Sequence, residues 1–138
     1  MSRRKAREVA LQALFQLDFN KIDKADALNA VLSESDSLSD NLSDSARTYA
    51  NVIVDGTQEH LEEIDAIISK NSTEWKVGRM PGVDRNITRM AVYELKFGNE
   101  KLAPNIIINE AVELAKTFGT DASARFVNGI LGAMIEKG

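Results

Sequence analysis

The sequence contains no cysteine and a single histidine, His60. The first absence rules out disulfides, thiolate zinc sites and cysteine nucleophiles. The second removes paired-histidine metal sites and most triad chemistry. Long apolar runs are missing as well, and nothing reaches the ~20 residues that a membrane-spanning helix needs. The opening Met1-Ser2-Arg3-Arg4-Lys5 has the charge of a signal-peptide start. The apolar stretch behind it, however, is interrupted by Glu8, Gln12, Gln16 and Asp18, and no small-residue cleavage site follows. The expectation is a cytoplasmic protein that does not enter membranes, with no cofactor, no metal and no catalytic residues.

What is present suits a soluble globular chain. Its 138 residues are 43% hydrophobic and 28% charged, enough for a sizeable core in one domain or in two small halves. The net charge of −4 is unevenly spread. Arg3, Arg4, Lys5 and Arg7 stand against Glu8 alone at the start. Residues 18–44 are strongly acidic, and from Asp84 onward the two signs balance. A basic end on an acidic protein is a local patch that can attract phosphates while the remainder repels them.

Helical periodicity runs through most of the chain. Ala6, Val9, Ala10, Ala13, Leu14 and Leu17 predict a first helix from about Arg3 to Asp18. Ala25, Leu28 and Val31 predict a shorter second one. Ser33 to Asp44 is dominated by serine and aspartate, which favour turns and caps, and reads as a loop. A long helical stretch is expected from Ser43 to Asn71, with a kink or break where Gly56 interrupts it. Trp75, Gly78, Pro81 and Gly82 mark a connection over about 72–83, with Trp75 as a packing anchor. Asp84 is the expected N-cap of the next helix, and Gly98-Asn99 its end. Pro104 opens another helix, which Gly119 closes. Thr120 or Asp121 caps the last. The prediction is an all-α protein with an N-terminal half of about 1–71 and a C-terminal half of about 84–138.

Three places could carry function. Arg3 and Arg7 share a helix face, and Arg4 and Lys5 widen it. Cations there lie at the wrong end of the helix dipole, so phosphate binding is a plausible purpose; a solvated helix start is the plainer one. The turn before the last helix offers backbone amides, with Ser123, Arg125 and Phe126 beside it. The same residues also make an ordinary helical joint with Phe126 in the core. Asn109, Glu110, Glu113 and Lys116 lack a third ligand or a histidine at matching spacing and read as a solvated face. His60, among Glu59, Glu62 and Glu63, reads as exposed or half-exposed.

Four segments together resemble the NusB family: Arg3-Arg4-Lys5-Ala6-Arg7-Glu8-Val9-Ala10-Leu11-Gln12-Ala13-Leu14-Phe15, Val83-Asp84-Arg85-Asn86-Ile87-Thr88-Arg89-Met90-Ala91-Val92-Tyr93-Glu94-Leu95, Asn109-Glu110-Ala111-Val112-Glu113-Leu114-Ala115-Lys116-Thr117-Phe118-Gly119 and Arg125-Phe126-Val127-Asn128-Gly129-Ile130-Leu131. Order and spacing match over nearly the whole chain. The resemblance implies two helical bundles packed together, of about seven helices, and no enzymatic activity. It implies binding of boxA, a short single-stranded RNA element in ribosomal RNA transcripts. The partner it implies is the small-subunit ribosomal protein NusE, with other Nus factors and RNA polymerase joined indirectly. Carried over by motif, the RNA contacts fall on Arg3, Arg4, Lys5 and Arg7 and on Thr120, Asp121, Ser123, Arg125 and Phe126. Some relatives have an acidic pair in that turn, where this chain reads Asp121-Ala122. Arg85, Arg89 and Tyr93 are the candidate partner contacts, and a homodimer is left open. Two other readings compete. One is a protein-binding adaptor in a transcription or ribosome-assembly complex that never touches RNA. The other is enzymatic, since a related helical domain occurs at the N-terminus of some RNA cytosine methyltransferases, though this sequence has no Gly-rich cofactor strand–turn–helix and no cysteine.

Overall fold

The structure, a computed structural model, describes residues 3–19, 24–34, 43–72, 76–98 and 102–136. Among them are seven α-helices, one 3-10 turn and no strand: α1 (Arg3–Phe19), α2 (Lys24–Glu34), α3 (Asp44–Glu59), α4 (Leu61–Asn71), the turn Val77–Arg79, α5 (Gly82–Lys96), α6 (Pro104–Phe118) and α7 (Asp121–Glu136). No helix among these residues is long and apolar enough to cross a membrane. The chain forms two compact units, Met1–Asp55 and Gly56–Gly138. Trp75 and the serine–aspartate stretch over 35–42 lie outside the described residues.

In the first unit, the predicted stripe of α1 is its buried face. Ala6, Val9, Ala10, Ala13 and Leu14 are all inaccessible, as are Ala27, Leu28 and Val31 on α2, which packs against α1. Ser43 starts α3, its Oγ accepting from the Ala46 amide at 3.2 Å, and Asp44 places a carboxylate in the positive first turn.

The second unit is built around α5, against which α4, α6 and α7 all pack. Every residue from Asp84 to Glu94 is buried. This helix is not apolar all round, so its polar groups need internal partners. Thr88 Oγ1 donates to the Asp84 carbonyl at 2.7 Å, and Asn86 Nδ2 to the Gly82 carbonyl at 2.8 Å. Lining the same core are Ile64, Ile68, Ile107, Leu114, Val127, Ile130 and Leu131.

Two local features differ from the sequence reading. The long stretch breaks at His60, not at Gly56, and Gly56 stays helical. Its missing side chain is used for packing: a Cβ there would collide with the Tyr93 ring. Helix α5 begins at Gly82 behind Pro81, so Asp84 is buried in the first turn and is not the cap. The two units meet along the chain at Asp55–Gly56. The cause is α4, which buries Ile64 and Ile68 and packs on α5 and α7, and so belongs with the later helices.

Candidate nucleic-acid interface

The first two turns of α1 hold Arg3, Arg4, Lys5 and Arg7, and the first turn contains no acid. Arg4 is exposed, and Arg3 and Lys5 are half-buried. Arg7 is different: it is only 3% exposed. Its guanidinium lies over the ring of Tyr49 on α3, 5.8 Å from the centroid, and its Nη2 donates to Tyr49 Oη at 3.4 Å. Arg3 reaches the same ring, 5.7 Å from the centroid. Arg3, Arg4 and Lys5 keep accessible surface at this end of α1, while Arg7, nearly inaccessible, offers little area to a phosphate. At the far end of α1, Phe15 and Phe19 are exposed, with ring centroids 4.9 Å apart.

The second predicted place is the start of α7. Thr120 caps it: the Ser123 amide donates to Thr120 Oγ1, and the Thr120 amide to Ser123 Oγ, both at 3.1 Å. This is a capping box with serine in the position that glutamate or glutamine commonly takes. Ser123 is buried in that role, so it braces the turn and is not presented to a ligand. Gly119 is needed for the close approach, because a Cβ there would lie 2.6 Å from Ser123 Oγ and 2.9 Å from the Ala115 carbonyl. Thr120, Asp121 and Arg125 are exposed and Phe126 is half-buried. An exposed cation, a half-exposed ring and a helix N-terminus can serve a phosphate and a base together.

The three residues expected at a partner surface point inward instead. Arg85 donates to the carbonyls of Val77 at 3.2 Å and Met80 at 3.0 Å, tying down the 3-10 turn. Arg89 forms a two-point fork with Asp65, Nε to Oδ1 and Nη2 to Oδ2, both 2.8 Å. Tyr93 is buried against Gly56. Burial, the flanking Glu94 and then Glu59 all raise its phenol above the usual 10.0. These side chains hold the second unit together.

The other charged groups singled out in the sequence make local contacts. Glu113 pairs with Lys116 across one exposed turn at 3.7 Å. His60 stacks on Phe97 with centroids 4.3 Å apart, and its Nδ1 lies 3.2 Å from Glu63 Oε1. No group of three or more potential metal ligands occurs among the described residues.

Comparison with known proteins sets this geometry in context. The NusB family profile matches residues 4–136. The transcription antitermination protein NusB of Desulforamulus reducens is 45% identical over 137 residues, covering 99% of this chain and 92% of that one. Its counterpart in Symbiobacterium thermophilum is 48% identical over 138 residues, covering 98% and 90%. Among solved structures, T. maritima NusB superimposes with a TM-score of 0.86 at 35% identity, over 99% of this chain and 92% of that chain. A crystal structure of the antitermination factors NusB and NusE in complex with dsRNA superimposes with a TM-score of 0.86 at 30% identity, over 99% and 97%.

Proposed function

This chain belongs to the NusB family, and from that premise we propose that it is an RNA-binding transcription antitermination factor. It takes up a boxA-type single-stranded element of ribosomal RNA transcripts together with the ribosomal protein NusE, and through that complex it engages other Nus factors and RNA polymerase. Its place of action is the cytoplasm, where the transcripts are made. It works by binding, without catalysis.

The observation that carries this reading is the cationic start of α1. Arg3, Arg4 and Lys5 retain accessible surface there, in a helix turn whose own sequence contains no acid. Positive charge at this end of a helix is unfavourable by a few tenths of a kcal/mol to about 1 kcal/mol per group, and a bound phosphate reverses the sign. The start of α7, in the second unit, is a separate candidate contact, with Arg125 suited to a phosphate and Phe126 to a base. Phosphate contacts place the strand and base contacts select it.

Burial of Arg7 changes the expected salt dependence. Four single-strand phosphate contacts from α1 would give a log–log slope near −2.8, whereas three give about −2.1, at roughly −0.7 each. The test is RNA affinity against salt for the wild-type chain and for Arg3→Ala/Arg4→Ala/Lys5→Ala. The slopes should differ by about 2.1, and equal slopes would remove α1 from the site.

A second reading, a protein adaptor without RNA contact, draws on the exposed Phe15–Phe19 pair, an apolar surface of the kind that proteins cover. The same pair serves the first reading equally well if it receives NusE while the cations receive RNA. The two readings separate on the same alanine variant, because an adaptor keeps its partner affinity and has no RNA affinity to lose.

A further inference from the structure

We propose that Tyr49 is a positioning residue for RNA binding: its ring holds Arg3 and Arg7 together, and so presents the α1 cations as one preorganised surface. The inference rests on the RNA-binding reading above and extends it to a residue on a different helix.

The problem that Tyr49 solves is electrostatic. Arg3 and Arg7 stand one helical turn apart on the same face, with no acid in that first turn. Two like charges at this spacing repel, and the helix dipole opposes both. A long arginine side chain under those conditions swings out into water and samples many rotamers. Here both guanidinium carbons lie over one ring, at 5.7 and 5.8 Å from its centroid, inside the ~6 Å reach of a cation–π contact. The electron-rich face attracts both cations and so offsets their repulsion. The hydroxyl adds a second tie, accepting from Arg7 Nη2 at 3.4 Å. Arg7 is buried by this arrangement and Arg3 only half-buried, which leaves Arg3 as the member of the pair turned toward a ligand. A side chain already ordered loses less entropy on binding. Tyr49 thus acts through Arg3 and touches no RNA itself.

The test is a series of progressively fluorinated phenylalanines at position 49, in the full chain, together with Tyr49→Phe and Tyr49→Leu. Fluorination drains the ring's negative face while nearly preserving its shape, so the fold is retained even if Tyr49→Leu destabilises it. The probe is a fluorescent boxA-like single-stranded RNA, titrated at several salt concentrations. Tyr49→Phe should bind within about twofold of wild type, because the ring face remains. Affinity should then fall stepwise with fluorination, to about fivefold weaker at the end of the series. The salt slope should become shallower by about 0.7 as Arg3 stops contributing. In an Arg3→Ala background the same series should be flat. Equal affinities across the series with Arg3 present would overturn the role of Tyr49 alone, given that Arg3→Ala/Arg4→Ala/Lys5→Ala weakens binding. Absence of salt-dependent RNA binding by the wild-type chain would overturn the RNA reading and this inference with it.

Discussion

Arg89 on α5 and Asp65 on α4 are joined through two parallel hydrogen bonds, each 2.8 Å, between residues 24 positions apart. The planar guanidinium matches the carboxylate in a way that a lysine cannot. Asp65→Ala would leave a mostly buried arginine without its main counter-charge. It should destabilise the fold by about 2–3 kcal/mol, somewhat below the cost of breaking a fully buried pair, because Asp65 keeps some contact with water. Arg89→Lys, which keeps the charge but not the fork, should retain less than half of that stabilisation. Urea denaturation of the two single variants and the double variant checks both values, and a coupling energy near zero would contradict the fork's importance.

Gly56 should resist replacement even though it lies inside a helix. Alanine would gain about 1 kcal/mol of helix propensity. Its Cβ, however, would meet the Tyr93 ring, and overpacking of that kind costs about 1–3 kcal/mol. The expected result for Gly56→Ala is a lower melting temperature. In a Tyr93→Ala background the obstacle is gone, and the same change should become stabilising. A reversal of sign between the two backgrounds is the readout.

The capping pair at the start of α7 is expected to be worth about 1 kcal/mol. Thr120→Ala removes the acceptor for the Ser123 amide and should destabilise by that amount, while Thr120→Ser should be nearly neutral. Denaturant midpoints of the two variants distinguish loss of the hydroxyl from loss of the methyl group.

Stability should carry a high-pH signature from Tyr93. Burial, reinforced by the neighbouring carboxylates of Glu94 and Glu59, raises its phenol above 10.0 in the folded state. The unfolded phenol ionises first, so deprotonation favours unfolding as the pH passes 10. The stability that depends on this group is fully present below the unfolded value and is lost as pH rises through the folded one. Tyr93→Phe should lack that component. Melting temperatures of the two proteins, compared from neutral pH upward, should fall more steeply for wild type above pH 10.

Periodicity made the helices legible, and it did so because most of them bury one regular stripe. Ala6, Val9, Ala10, Ala13 and Leu14 show this well. Helix α5 hid its character because it is buried on all sides while carrying Asp84, Arg85, Asn86, Thr88, Arg89 and Glu94. Arginines at such positions look like surface contacts when only the sequence is in view. Their acceptors, the Val77 and Met80 carbonyls and the Asp65 carboxylate, become apparent only once the chain has folded. The break at His60 was displaced from Gly56 for a related reason, since that glycine answers to Tyr93 on another helix. At the candidate site, the basic cluster was plain from residue types alone. The division of labour within it was not, because Arg7 finds Tyr49 across 42 positions of sequence. Ser123, expected from the sequence among the RNA contacts, lies in the first turn of α7, where its hydroxyl closes the cap.

The central claim is that the α1 cations recruit RNA in company with a ribosomal partner. Its most direct test is the binding of a fluorescent boxA-like single-stranded RNA with and without NusE, at two salt concentrations. Wild type should be run beside Arg3→Ala/Arg4→Ala/Lys5→Ala. Binding by wild type should tighten when NusE is added, weaken with salt, and fall sharply in the triple variant while NusE is still bound. Equal RNA affinity of the two proteins at both salt concentrations would contradict the claim and leave the chain a helical adaptor.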